Sequence, residues 1–114
     1  MLFRSVIRAI SMKPDTDLAA MQRQFAAGRG LLLDAYRPGI PGGTGETFDW
    51  DRIPVGLGPR IVLAGGLDPN NVAYAVRRVR PYGVDVSGGV EAAKGIKDPR
   101  KIKAFIEEVL SAEK

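Results

Sequence analysis

The chain has 114 residues, of which 45% are apolar and 26% are charged, a size and balance typical of one globular domain. It contains no cysteine and no histidine, which excludes disulfides, cysteine nucleophiles and the zinc sites that these residues build, so acid–base chemistry must come from carboxylates, lysine or tyrosine. The net charge of +4 is spread along the chain, and no apolar run is long enough for a membrane span. We expect a cytoplasmic protein without a secretory leader.

Four short runs of the chain are apolar almost throughout and predict β-strands. Their continuous rather than alternating apolar character indicates strands covered on both faces, as in a parallel sheet. The runs span residues 5–10, 30–33, 60–64 and 83–87.

Three further segments carry apolar residues at helical spacing and predict amphipathic helices with one face toward the core. Asp98-Pro99 is expected to open the last helix with an N-cap acid and a proline at the first helical position, and Asp68-Pro69 to open the second in the same way. A helix between the second and third strands can only be short, because residues 48–55 contain Pro54. The three apolar stripes are Leu18, Met21 and Phe25; Val72, Ala75, Val76 and Val79; and Ile102, Phe105, Ile106, Val109 and Leu110.

The alternation of strands and helices predicts four successive βα units in a parallel sheet or barrel, which is the α/β class. No low-complexity linker divides the chain, so we expect residues 1–114 to form a single domain. In such folds the chemistry lies in the loops that follow the strands.

Glycine pairs follow the third and fourth predicted strands and are candidates for binding a phosphate. Gly65 and Gly66 form the first pair, and Gly88 and Gly89, preceded by Ser87, form the second. Paired glycines let backbone N–H groups approach an anion closely, and barrels often bind phosphate after two neighbouring strands. The alternative is that each pair only makes a tight turn between strand and helix.

Two acids lie near the ends of predicted strands. Asp34 ends the second strand, where it is either a general acid or base or a cap that accepts backbone N–H bonds from its loop. Asp85 lies nearer the interior of its strand, and a structural hydrogen bond and contact with substrate are both open to it.

The loop 38–50 is rich in glycine and unusually long for a βα connection, which favours a functional role. It lacks the lysine and the spacing of a P-loop, so we interpret it as a lid over the site. The basic cluster Arg77, Arg78 and Arg80 predicts a solvent-exposed helix face rather than a nucleic-acid site, because Val79 between them belongs to the core stripe.

Five blocks of the sequence occur in an order and at spacings that are specific. The blocks LLLDAY, PGGTGETFDW, LAGGLDPNNV, VDVSGGVE and GIKDPRKIKAFI together resemble phosphoribosylanthranilate isomerase, from about Arg4 to the end of the chain. The resemblance implies a (β/α)₈ TIM barrel that carries out the Amadori rearrangement of N-(5-phosphoribosyl)anthranilate in tryptophan biosynthesis, with no cofactor and no metal. The blocks match the fifth to eighth strands of the family, so the implied fold of this chain is a half-barrel.

The resemblance also implies roles for individual residues. Asp34 matches the general acid that protonates the ring oxygen as the sugar opens, and the loop 38–50 matches the family's mobile segment over the site. The loops that hold the substrate phosphate through backbone N–H groups match Gly65, Gly66, Ser87, Gly88 and Gly89.

The chain departs from the family pattern at two points. Gly88 stands where the family usually has a second serine, which puts one hydroxyl contact to the phosphate in doubt. The family's general base is a cysteine at the end of the first strand, and this chain has neither a cysteine nor a block like the first four strands. We therefore expect weak or absent turnover from the chain alone.

A half-barrel would leave unpaired strand edges and an uncovered apolar face. We expect self-association or pairing with a complementary N-terminal half-barrel, and a small sugar-phosphate ligand rather than nucleic acid or a membrane. The alternatives are another sugar-phosphate barrel, such as an epimerase or an indole-glycerol-phosphate synthase, and a non-catalytic phosphate-binding subunit that completes a barrel in trans.

Overall fold

The computed structural model describes residues 7–26, 28–35 and 47–114. Four parallel strands form one sheet in the order of the chain, and α-helices follow the first, third and fourth strands. This is the predicted α/β class with a parallel sheet. The strands are β1 (Ile7–Met12), β2 (Gly30–Ala35), β3 (Ile61–Leu63) and β4 (Gly83–Val84), and the helices are α1 (Leu18–Gln24), α2 (Val72–Val79) and α3 (Pro99–Ala112).

The segment between β2 and β3 contains short turns instead of an α-helix among its described residues. A 3₁₀ turn at Trp50–Arg52 begins at Asp49, whose carboxylate accepts the N–H of Asp51 at 2.9 Å. A second 3₁₀ turn at Gly58–Arg60 leads into β3. Pro54 lies between the two turns and cannot continue a helix, so the prediction that residues 48–55 hold only a short helical element is confirmed.

All four strands differ in extent from the sequence prediction: β2 continues past residue 33 to Ala35, so that Asp34 lies within it, and β3 is one residue shorter at each end. β1 continues to Met12 instead of ending at residue 10, because it pairs with β2 as far as Ala35. β4 contains only Gly83 and Val84, because only these residues pair with β3, whereas the sequence predicted a strand over 83–87. Asp85 therefore lies just beyond the strand and not in its interior.

One face of the sheet carries the core. Alternate residues of β2 and β3 point to this face and are at most 1% exposed, namely Leu31, Leu33, Ile61 and Leu63. They belong to one buried cluster with side chains from the three helices, among them Leu18, Val72 and Phe105. The residues between them, Leu32 and Val62, pair in register on the opposite face and are only half-buried. The prediction that the strands are covered on both faces is therefore wrong for the described part of the chain, since the helix side chains fill one side of the sheet.

The start of α3 agrees with the predicted capping. Asp98 precedes the helix, its carboxylate accepts the N–H of Arg100 at 2.9 Å, and Pro99 is the first helical residue. This arrangement satisfies a backbone donor that the helix itself cannot satisfy.

The start of α2 was predicted at the wrong residue. The helix begins at Val72 with Asn71 before it, and not at Asp68-Pro69. Asp68 instead stabilises a turn ahead of the helix, because its Oδ1 accepts the N–H groups of Asn70 and Asn71 at 2.7 and 3.0 Å. The carboxylate of Asp68 accepts backbone N–H groups, as expected, but these groups belong to the turn and not to the first turn of α2.

The basic cluster of α2 faces solvent, as predicted. Arg77 and Arg78 are exposed while Val79 packs against the core. Arg78 forms an ion pair with Asp51 at 2.7 Å. Within the described ranges, no helix combines the length and the apolar character that a membrane crossing requires.

A small antiparallel hairpin between β4 and α3 was not predicted from the sequence. Its strands are β5 (Glu91–Ala93) and β6 (Ile96–Lys97). Gly95 lies in the turn between them with φ +79°, a conformation that glycine adopts at little cost. The hairpin brings Lys97 back toward the end of β4.

Candidate functional site

The carboxyl end of β2 and the loops that follow β3 and β4 surround an open cavity of about 520 Å³. The wall of the cavity brings together all the site residues that the sequence placed at or after strand ends: Asp34, Gly65, Gly66, Asp85, Ser87, Gly88 and Gly89. Other lining residues, which the sequence analysis did not single out as site residues, include Asp68, Glu91 and Lys94.

Asp34 lies near the carboxyl end of β2 and lines this cavity. It pairs in register with Ser11 of β1, and the loop that begins at Gly65 lies beside its carboxylate. The side chain is half-buried and accepts no hydrogen bond from any residue in the described ranges. A group that exchanges protons with a ligand needs such an open carboxyl group. The alternative that Asp34 caps its own loop concerns residues 36–46, which lie outside the described residues.

Gly65 and Gly66 form the loop between β3 and α2. Both have positive φ, +88° and +72°, which favours glycine over residues that carry a Cβ. A Cβ at Gly65 would also overlap Asp34 Oδ1 and the backbone nitrogen of Ala35. Glycine is therefore required at position 65 for two reasons: its backbone conformation, and the carboxylate of Asp34, which leaves no space for a Cβ.

Asn71 holds this first loop in place. Its Nδ2 donates to the carbonyl of Gly66 at 2.9 Å, and its Oδ1 accepts the N–H of Asp68 at 2.9 Å. The side chain before α2 thus fixes the backbone on which the glycine pair depends.

The second loop contains Ser87 and the 3₁₀ turn Gly88–Val90. A Cβ at Gly89 would overlap the carbonyl oxygen of Leu67, so this glycine lets the second loop contact the first. Apart from its chain neighbours, no atom of the residues that the structure describes lies within 4 Å of the position where a Cβ of Gly88 would be. The two glycines of the pair therefore differ, because one is required for packing and the other faces open space.

Backbone donors are available on both loops. The N–H groups of Gly65, Gly66, Gly88 and Gly89 donate no hydrogen bond to any residue within 7–26, 28–35 and 47–114. Gly65, Gly66 and Gly89 are half-buried. Because half-buried N–H groups are normally paired, donors left open at one cavity suit an anion with several oxygen atoms.

The carboxylates at the cavity give it an acidic wall. Among the described residues, Asp34, Asp68, Asp85 and Glu91 line it, against one lining cation, Lys94. One of these carboxylates is paired, since Lys97 Nζ lies 2.7 Å from Glu91 Oε2. The hydrogen bond from Lys97, followed by the one from the Gly95 N–H, lowers the pKa of Glu91 below its ordinary value.

Asp85 is exposed, and its side chain makes no hydrogen bond within the described ranges. Its backbone N–H donates to the carbonyl of Leu63 at 2.9 Å and continues the pairing of β4 by one bond. Of the two roles that the sequence left open, a structural hydrogen bond of the side chain is not found in this part of the chain. The carboxylate is available to a ligand.

The predicted lid over 38–50 lies mostly outside the described residues. In its described end, the ring of Trp50 packs against Tyr74 of α2 with centroids 5.9 Å apart. Arg52, which follows, donates to the carbonyls of Pro14 and Thr16 at 3.4 and 3.0 Å. These contacts attach the end of the segment to α2 and to the loop after β1.

Sequence reasoning missed the side chains that hold the two loops, Asn71 and Lys97. Both act on backbone carbonyls, and such contacts carry no sequence motif. The available signal was the pair of turn-forming residues Asn70-Asn71 directly after LAGGLDP, which indicates a second turn before the helix.

The sequence model of the family described as PRAI, N-(5'phosphoribosyl)anthranilate (PRA) isomerase, matches residues 2–108. A curated relative from Chromohalobacter salexigens, named N-(5'-phosphoribosyl)anthranilate isomerase, is 63% identical over 103 residues, which are 90% of this chain and 49% of the relative. The crystal structure of phosphoribosyl anthranilate isomerase from Thermus thermophilus matches with a TM-score of 0.70 and 30% identity over 94% of this chain and 50% of that one.

A third similar protein is a phosphoribosyl anthranilate isomerase solved in complex with reduced 1-(o-carboxyphenylamino)-1-deoxyribulose 5-phosphate. It is 35% identical with a TM-score of 0.61, over 94% of this chain and 49% of that one. The chain spans about half the length of the relatives that it matches. On the family match over residues 2–108, the chain belongs to the phosphoribosylanthranilate isomerase family.

Proposed function

We propose that this chain is the acid and phosphate half of a cytoplasmic phosphoribosylanthranilate isomerase of tryptophan biosynthesis. In this proposal its four βα units correspond to strands five to eight of a (β/α)₈ barrel. One observation carries the proposal: Asp34, both glycine pairs and Ser87 line the same cavity at the carboxyl ends of the strands, where barrel enzymes hold their active sites.

The substrate phosphate would bind to the open N–H groups of the two glycine pairs. The four donors belong to two loops in contact, because a Cβ at Gly89 would overlap the carbonyl of Leu67. A phosphate between the loops could accept from both at once, which fixes the position of the sugar relative to Asp34.

Asp34 would act as the general acid. In an Amadori rearrangement the bond between C1 and the ring oxygen breaks, and the protonated carboxyl group gives its proton to that oxygen. Loss of the proton at C2 to a base and return of a proton to C1 then move the carbonyl to C2. Substrate and product are isomers, so the reaction needs no cofactor.

The general base is the part that this chain does not supply in the family pattern, since it contains no cysteine. We propose that the base comes from four further βα units, on the same or another polypeptide, that pair with the free edges of β1 and β4. These units would cover the half-buried face of the sheet that carries Leu32 and Val62. They would also cover a cavity of about 460 Å³ near the amino ends of the strands, which is lined by Ile7 and Val62 among others.

The test follows the loss of phosphoribosylanthranilate fluorescence with the purified chain, alone and mixed with the unmatched half of the Chromohalobacter salexigens relative. Turnover only in the mixture, abolished by Asp34→Asn, is the expected result. Turnover by the chain alone would contradict the need for further units. No turnover in a mixture that forms a stable complex and binds phosphate would favour the alternative, a non-catalytic phosphate-binding half that completes a barrel in trans.

A further inference from the structure

Lys97 reaches from the hairpin to the loop that carries the second glycine pair. Its Nζ donates to the carbonyl oxygen of Ser87 at 2.9 Å and to the Ser87 hydroxyl oxygen at 3.4 Å. The third contact of the ammonium is Glu91 Oε2 at 2.7 Å. One ammonium group thus connects the backbone and the side chain of Ser87 to a carboxylate.

Glu91 is itself fixed at both oxygens. While Oε2 accepts from Lys97, Oε1 accepts the N–H of Gly95 at 3.2 Å, and the side chain is only 18% exposed. The carbonyl of Glu91 accepts from Lys101 Nζ at 2.7 Å. The carboxylate therefore has one defined place, from which it holds the ammonium beside Ser87.

Ser87 does not use its hydroxyl in the usual way. A serine before a helical turn normally caps it by accepting a backbone N–H, but the Ser87 hydroxyl makes no such bond to the turn Gly88–Val90. The hydroxyl oxygen lies next to an ammonium that can only donate. With a lone pair directed at Lys97, the hydroxyl proton is left to be donated elsewhere, and Ser87 lines the cavity.

We propose that Lys97, held by Glu91, is a positioning residue for phosphate binding: it fixes the backbone of Ser87 and orients the Ser87 hydroxyl to donate toward the bound phosphate. This inference rests on the proposed phosphate site and assigns it a support outside the two glycine pairs. Lys97 fixes the backbone of the second loop as Asn71 fixes that of the first, where Asn71 Nδ2 donates to the Gly66 carbonyl at 2.9 Å.

The first experiment titrates the ¹⁵N-labelled chain with inorganic phosphate and follows the amide resonances of Gly65, Gly66, Gly88 and Gly89. Lys97→Met should raise the phosphate Kd roughly tenfold or more, the range for losing a hydrogen bond to a charged group. Lys97→Arg should restore most of the affinity. The control is Lys103→Met, which removes an ammonium that is 79% exposed on α3 and should leave the Kd unchanged.

Glu91→Gln separates positioning from simple charge. If Lys97 and Glu91 acted on phosphate only through their charges, removal of a carboxylate from the cavity wall would tighten binding of the anion. The positioning role predicts the opposite, a Kd weakened about two- to fivefold, because the ammonium loses its fixed partner. This variant also serves if Lys97→Met fails to fold.

The outcomes are distinct. Unchanged or tighter phosphate binding by Glu91→Gln, or a wild-type Kd for Lys97→Met, would overturn the positioning role while leaving the proposed isomerase function intact. A wild-type chain whose glycine resonances do not respond to phosphate would overturn both. Weakened binding in both variants with rescue by Lys97→Arg is the expected result.

Discussion

Gly65 and Asp34 are coupled across two neighbouring strands, because the place where a Cβ of Gly65 would lie is occupied by Oδ1 of Asp34. The carboxylate of Asp34, the proposed acid, therefore lies directly against the loop that carries Gly65 and Gly66. A change in either residue reaches the other, and this coupling can be tested by substitutions that separate backbone strain from steric overlap.

We expect Gly65→Ala to cost more stability than Gly56→Ala. Both glycines have positive φ, +88° and +90°, so each substitution brings a backbone cost of about 1–2 kcal/mol. A Cβ at Gly65 would overlap Asp34 Oδ1 and the Ala35 nitrogen, whereas in the described part of the chain no atom beyond the chain neighbours lies within 4 Å of a Cβ at Gly56. Overlap in packed structure adds about 1–3 kcal/mol. Urea unfolding measures both losses, and equal losses would show that Asp34 and Ala35 move aside at no cost in stability.

Asp34→Asn should abolish turnover and leave phosphate binding intact. In the complemented enzyme, loss of a general acid lowers kcat by a factor of about 10² to 10⁴. The phosphate Kd should stay the same or improve, since the change removes a negative charge from the cavity wall. Asp85→Asn is the matched control, because Asp85 lines the same cavity and is not assigned the proton. An equal loss of kcat in both variants would contradict the assignment of the acid to Asp34.

Gly88→Ser should be accepted by the fold and should tighten phosphate binding. The Cβ position at Gly88 is open, and its φ is not in the left-handed region, so the new hydroxyl adds a donor at little structural cost. A hydrogen bond to a charged group contributes about 1.5–3 kcal/mol, which corresponds to a Kd lowered roughly tenfold or more.

Gly89→Ser is the control for that substitution. A Cβ at Gly89 overlaps the Leu67 carbonyl oxygen, which is backbone and cannot move aside easily. The variant should lower the midpoint of urea unfolding and weaken phosphate binding. If instead Gly88→Ser is the destabilised variant, the assignment of the open and the packed glycine is reversed.

Stability should depend on acid pH through Glu91. The hydrogen bond from Lys97 lowers the pKa of Glu91 below its ordinary value of 4.5. A folded-state pKa below the unfolded one means that the contact stabilises the protein above the unfolded pKa and that this contribution disappears as the pH falls through the folded pKa. The Tm of wild type should therefore exceed that of Glu91→Gln near neutral pH, and the two values should converge as the pH falls through the lowered pKa of Glu91. A difference that stays constant through the acid range in which Glu91 becomes protonated would contradict this origin.

The chain alone should associate through the uncovered face and edges of its sheet. Ile7 begins the edge strand β1, is 44% exposed and lines the cavity on that face. Ile7→Lys should lower the association constant roughly tenfold, since burial of an isoleucine side chain is worth on the order of 1.5–3 kcal/mol. Ile96→Lys, at a 61% exposed position on the hairpin, should have no effect. Sedimentation velocity measures both, and a monodisperse wild-type monomer would refute the prediction.

The residues that are predictable from the sequence are those whose role follows from position after a strand. Asp34 and the glycine pairs were found in this way, because in successive βα units the carboxyl ends of all the strands lie at the same edge of the sheet. The predicted start of α2 failed for a local reason. Asp68 can accept N–H groups in a turn as well as at the start of a helix. Here it accepts the N–H of Asn71 in a turn, and Asn71 is the residue that directly precedes α2.

Lys97 could not be found from the sequence, because its role depends on the hairpin. The strands Glu91–Ala93 and Ile96–Lys97 are too short to give an alternating pattern, and the contact joins residues ten positions apart. The sequence also could not show which face of the sheet is covered. Leu31, Leu32 and Leu33 are the same residue type, yet only the first and third are buried. Tertiary packing decides such cases.

The contacts that hold the two glycine loops have a consequence for the order of folding. Asn71 and Gly66 are five residues apart, and Lys97 and Ser87 are ten apart, so each contact closes a short loop of chain. The entropy lost on closing such loops is small, and loops of about ten residues close in tens of nanoseconds, well before distant strands find their partners. Each of these local contacts can therefore form before β1 and β4 take their places in the sheet.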